Sequence, residues 1–146
     1  MDQLVFNMVI NLFRRKKNHK ALQLEVGPSP IDGLGVFAKI NFKPGQLIEK
    51  APVIAMDNRE KDLLRNCSLH SYYFLVNNPA TSIVMGLGYS SLYNHSGDAN
   101  AVYSINISDL TISIKAYKRI SAGEEITINY NGRPHDLSPV CFTGNN

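Results

Sequence analysis

From Ala21 onward the apolar residues fall in short runs separated by turn-forming residues, the pattern of a chain built from many short strands. The predicted strands are Leu22 to Val26, Val36 to Ile40, Leu47 to Met56, Tyr72 to Val76, Ser82 to Met85, Val102 to Ile107, Leu110 to Ala116 and Glu125 to Ile128. Asp32-Gly33, Lys43-Pro44-Gly45, Asn77-Asn78-Pro79 and Ser121-Ala122-Gly123 punctuate them with residues that preset φ or tolerate positive φ. Asn58 to Arg65 is the one helical stretch in the middle, a short polar piece expected to turn Leu63 and Leu64 inward. Before Ala21 the period changes. Leu4, Val5, Met8, Leu12 and Phe13 recur at helical spacing between Asp2 and Arg14 to Lys17, so residues 2–17 read as an amphipathic helix with end charges that suit its dipole. Many short strands and little helix predict a mainly β domain.

Composition agrees with a globular fold: 146 residues, 44% hydrophobic and 18% charged, is one domain's worth of chain. The net charge of +3 is concentrated at the amino-terminal end, where Arg14, Arg15, Lys16, Lys17 and Lys20 stand close together. Everything after Lys20 holds ten basic and eleven acidic residues. A near-neutral body argues against a nucleic-acid channel through the fold and leaves the basic helix as the candidate for contact with a polyanion, a membrane surface or a second copy in a homodimer. The bland reading of that helix is a solvated basic end. Cys67 and Cys141 belong to no Cys/His cluster, so neither a zinc site nor a disulfide framework is indicated, and no metal is expected. The apolar stretch Leu4 to Phe13 carries its positive charge behind it and is short for a bilayer, which favours a cytoplasmic location.

Two polar clusters then stand out. Asn94-His95-Ser96, with Asn100 beyond it, follows the glycine-rich apolar run Gly86 to Tyr93, and Gly123-Glu124-Glu125-Ile126-Thr127-Ile128-Asn129-Tyr130 follows Leu110 to Ala116. The first reads either as a polar turn in which Asn94 and Ser96 bond their own backbone or as part of a buried polar site. Tyr130 alone reads as a core or rim aromatic. Glu124 and Glu125 are adjacent on a strand and point to opposite faces, so they cannot act as a pair on one bond. Asp32-Gly33-Leu34-Gly35 reads as a hairpin turn or as a place where a ligand meets the backbone, and it lacks the helix and third glycine of a dinucleotide fingerprint. No nucleophile and orienting acid sit at a recognisable spacing around any histidine.

In this order, Gly33-Leu34-Gly35-Val36-Phe37, Asn94-His95-Ser96-Gly97-Asp98-Ala99-Asn100 and Gly123 to Tyr130 resemble the three signatures of the SET-domain protein-lysine N-methyltransferases, over roughly Ala21 to Asn131. The chain looks like the compact single-domain form without zinc-binding flanks. The resemblance implies a β-clip of small curved sheets with few short helices and a carboxy-terminal pseudoknot. It divides the chain into an amino-terminal helix over 1–20, a SET domain over 21–131 and a flap over 132–146. It also implies S-adenosyl-L-methionine as cofactor and a protein with an exposed lysine as substrate. Gly33, Leu34, Gly35, Asn94 and His95 would then hold the cofactor, and Tyr130 would be the catalytic tyrosine where cofactor and lysine meet. Phe142 is the candidate to close over the adenine or to line the channel. Ile128 occupies a position where the family often has an aromatic that influences methylation state, and Tyr72 and Tyr73 are candidates to supply a hydroxyl to the lysine channel. Gly97 and Ala99 replace a common Cys and Pro, and the turn is expected to be less rigid for the loss of proline's fixed φ. The alternative is a SET-like binding module without turnover, acting through a partner surface or the basic helix.

Overall fold

The computed structural model describes residues 22–140; the expected helix over residues 2–17 and Phe142 lie outside the described residues. The strands are β1 (Leu24–Pro28), β2 (Leu34–Ala38), β3 (Leu47–Met56), β4 (Tyr73–Leu75), β5 (Ile83–Gly86), β6 (Asn94–His95), β7 (Ala101–Asn106), β8 (Thr111–Ala116) and β9 (Glu125–Ile128). They form two small sheets, one of order β1-β2-β9-β6 and one of order β4-β5-β3-β8-β7. The last strand, β9, lies between β2, to which it is antiparallel, and β6, to which it is parallel. Late chain is thereby inserted between two earlier segments.

The core follows from period-two burial. Ile112, Ile114 and Ala116 of β8 face inward, and with Val36, Phe42, Val84, Ile120, Ile126 and Ile128 they make one buried cluster that both sheets share. These are mostly β-branched residues, which fit a pleated half-buried surface. In β3 a bulge between Leu47 and Glu49 shifts the alternation, so that Glu49 falls in phase with the inward-facing Ala51 and Val53.

Several boundaries differ from the sequence expectation. The first hairpin is β1–β2, two residues later than expected at β1 and two earlier at β2, because Gly33 at φ +47° and a bond from Ser29 N–H to Gly33 O close the loop. The helix Asn58–Leu63, α1, passes into a 3-10 turn over Leu64–Asn66. Leu63 is 80% exposed and does not face inward. So short a helix is held by its start rather than by packing: Asp57 accepts from Arg59 and Glu60 N–H while Glu60 reaches back to Asp57 N–H, a complete capping box. A second 3-10 turn over Ser68–Ser71 delays the following strand, so Tyr72 stands before β4. The run Gly86 to Tyr93 is buried only in part: Ser90 and Tyr93 are inside, while Leu87 is exposed.

Candidate active site

Asn94 does not form the polar turn that its sequence neighbours allow. As half of the two-residue strand β6 it pairs with Thr127, and its Nδ2 group lies 3.1 Å from Asp32 O, 3.2 Å from Leu34 O and 2.8 Å from Glu125 Oε1. One amide therefore ties the β1–β2 turn to β9. Glu125 completes the tie by accepting from Ser29 Oγ at 2.9 Å. The glycine between them has a physical reason of its own, since a Cβ on Gly35 would stand 2.2 Å from Glu125 Oε1. Ser96 does behave as a turn residue, its Oγ accepting from Asp98 N–H at 3.1 Å. The Gly97 to Ala99 turn is tethered without proline: Ala99 is fully buried, the Asp98 carboxylate pairs with Lys118, and Asn100 O accepts from Tyr117 and Lys118 N–H.

Asn100 makes a second tie of the same kind. Its Oδ1 accepts from Thr127 N–H at 2.9 Å, and its Nδ2 donates to Glu125 O at 2.8 Å and Glu124 Oε1 at 3.0 Å. The two glutamates thus serve opposite sides of β9, as alternation on a strand requires.

His95 and Tyr130 meet just beyond β9. The Tyr130 N–H donates to His95 Nδ1 at 3.2 Å, and the two rings stand 5.3 Å apart. Burial pushes the His95 pKa down, which favours the neutral ring whose Nδ1 can accept that bond. The Tyr130 hydroxyl donates to Tyr93 O at 2.9 Å. Burial above all, and then the charges of Asp32 and Tyr72, push the phenol up to about 12, so it is a neutral hydroxyl near pH 7. Behind it, Glu49 accepts from the Tyr93 hydroxyl at 3.1 Å and from Tyr89 N–H at 2.8 Å. Burial raises the Glu49 pKa against the lowering effect of those two bonds. Asn129 and Asn131 then fasten the following segment by donating to Asp136 O at 2.7 Å and Ser138 O at 2.8 Å.

Tyr130 opens onto a cavity of about 830 Å³ that Tyr72, Tyr73, Tyr93 and Tyr103 also line. Tyr103 is the site residue that the sequence reading missed. It sits on β7 in phase with the buried Ala101, and its hydroxyl lies 3.4 Å from Tyr130 O. Its signal was the alternation Ala101, Tyr103, Ile105, which turns a tyrosine inward directly after the Asn94 cluster. Ile128 is fully buried in the core and presents no surface to the cavity, so the candidate channel position two before Tyr130 is a packing residue here. Gly33, Leu34, Gly35, Asn94 and His95 are not among the residues lining that cavity. Among the described residues no group of three His, Cys, Asp or Glu side chains converges to hold a metal ion.

Residues 33–131 match the SET domain model, so the chain belongs to the SET-domain family, a family of protein-lysine methyltransferases. It is similar to the crystal structure of a Plasmodium falciparum protein described as a "putative histone methyltransferase", at 30% identity and a TM-score of 0.61 over 74% of this chain and 92% of that one. No curated protein matches the chain.

Proposed function

We propose that this chain is an S-adenosylmethionine-dependent protein-lysine N-methyltransferase in which Tyr130 is the catalytic tyrosine. The observation that carries the reading is the convergence on Tyr130. The turn with Gly33 and Gly35, the Asn94-His95 strand and the end of β9 are three separate sequence segments, joined by hydrogen bonds from Asn94 and Tyr130, and of these groups Tyr130 also lines the tyrosine-lined cavity. The donor set suits the cofactor. Asn94 Nδ2 is committed to protein acceptors, while its Oδ1 receives no protein hydrogen bond among the described residues and is free to accept from an ammonium such as that of the methionine moiety. The Gly33 turn and the His95 backbone are the other groups assigned to it, and the flap expected over residues 132–146 lies in part outside the described residues.

When bound, S-adenosylmethionine supplies an electrophilic sulfonium methyl, which needs neither a metal nor an enzyme nucleophile. What remains for the protein is to place a neutral amine and exclude water. The tyrosine-lined cavity is suited to enclosing a lysine side chain, and burial there disfavours its ammonium form. The Tyr130 hydroxyl commits its proton to Tyr93 O, which fixes the direction of its dipole beside the reacting centre. Because its pKa is raised, that hydroxyl acts without ionising at neutral pH.

Transfer of a labelled methyl group to mixed lysine-rich proteins tests the proposal. Tyr130→Phe is expected to lower turnover about a hundredfold, the loss typical of removing one preorganised polar group, with cofactor affinity nearly unchanged. Unchanged turnover would remove Tyr130 from the role, and cofactor binding without transfer to any protein would support a binding module instead.

A further inference from the structure

Among the described residues, the charged side chains lining the cavity beside Tyr130 are Lys61 and Arg65, with His70 next to them, and no Asp or Glu lines it. Lys61 and Arg65 stand four residues apart on α1 and the 3-10 turn that continues it, so they share one face. The carboxylates of this segment are otherwise engaged. Asp57 holds Arg59 at 2.9 Å, Glu60 accepts from Asp57 N–H at 2.9 Å, and Asp62 holds Arg65 at 2.9 Å. Lys61 has no carboxylate within salt-bridge distance among the described residues. Glu49 is spent on Tyr89 and Tyr93 behind the cavity wall.

A cavity that admits a lysine would therefore show the arriving peptide the positive charge of Lys61, with Arg65 held by Asp62 beside it. Low-dielectric walls focus the field of such a charge, and like-charge juxtaposition is unfavourable. A peptide rich in Lys and Arg meets repulsion here, whereas one with a carboxylate beside the target lysine gains an anion for Lys61 and competes with Asp62 for Arg65. We propose that this site prefers lysines with neighbouring acidic residues, with Lys61 and Arg65 as the groups that read the acid. The inference rests on the methyltransferase reading of the site.

The test uses the full chain and peptides with one central lysine, flanked on either side by Glu, Gln or Lys. In labelled methyl transfer at low salt, Glu flanks are expected to raise kcat/KM about threefold to tenfold over Gln and Lys flanks to lower it, an advantage that fades at high salt as exposed charges are screened. In Lys61→Glu and Arg65→Glu the Glu-to-Gln ratio is expected to invert, a ratio that general damage to the enzyme would not reverse. Parallel binding measurements on the same peptides with norleucine in place of the lysine read the preference without turnover. Equal or Lys-favouring ratios, or ratios that the two charge reversals leave unmoved, would overturn the inference. Tighter binding of Glu-flanked peptides without methyl transfer to any peptide would uphold the charge preference and sink the methyltransferase reading.

Discussion

The two sheets are held together in different ways. In the five-stranded sheet, β7 and β8 pair through six consecutive positions, and backbone bonds set the register with Ile112 and Ile114 beneath them. In the four-stranded sheet, β9 meets β2 over two positions and β6 over two. Such short ladders specify little by themselves. Side chains take over: Asn94 bonds the carbonyls of Asp32 and Leu34, and Asn100 pairs with the N–H of Thr127 and the carbonyl of Glu125 much as a neighbouring strand would. An amide side chain offers the same donor and acceptor as a peptide unit, so it extends a sheet where the chain path prevents another strand. The sheet built this way is the one whose strand ends carry Asn94, His95 and Tyr130.

If asparagines replace backbone pairing in the four-stranded sheet, Asn100→Ala should cost about 3 kcal/mol, because two buried backbone groups lose their partners at once. That is as much as removing a core isoleucine from the other sheet, where Ile114→Ala is expected to cost about 3 kcal/mol. Asn100→Asp should be worse at neutral pH, since it sets a carboxylate against Glu124 and Glu125 O, and should recover as acid protonates it. Denaturant unfolding of these variants decides the point, and a loss below about 1 kcal/mol for Asn100→Ala would break the comparison.

A smaller effect is expected at Glu49, the polar link from β3 to the loop that holds Tyr93. Its folded pKa is raised above the ordinary 4.5, so the folded state binds the proton more tightly than the unfolded chain does. Wild-type stability should therefore fall as pH rises from about 4.5 through the raised value, and Glu49→Gln should not show that fall. Stability curves across that window check it, and parallel curves for the two proteins would refute the coupling. The smallest effect belongs to the β7–β8 turn, where Leu110 sits at φ +50°. Leu110→Gly relieves that conformation and should stabilise the fold by about 0.5 kcal/mol, read as a shift in the denaturant midpoint.

Much of the fold was legible in the sequence because strand alternation and turn chemistry are local. The runs at β3, β5, β7, β8 and β9 were found within a residue or two, and the turns at Asp32-Gly33 and Lys43-Pro44-Gly45 stand where their residues predicted them. Leu63 was misread because a helix of six residues with a complete cap needs no buried face. Strand β6 was missed because two residues carry no period, and their partner Thr127 lies on a strand about thirty residues on. Of the candidate site residues, Tyr72, Tyr73 and Tyr130 meet at one cavity, whereas Ile128 went into the core and Tyr103 came in unannounced.

By itself the sequence determined which segments are strands, where they turn, and which residue types are present for the site, since these depend on spacing and on neighbours in the chain. It also carried the three signatures, in order, that mark the family. Only the tertiary structure decided that β9 slots between β2 and β6, that a bulge turns Glu49 inward, and that one amide at Asn94 reaches Asp32, 62 residues earlier. The reason is that hydrogen-bond partners so far apart along the chain leave no periodic trace. Which lone pair faces which N–H is settled when two sheets close on one core.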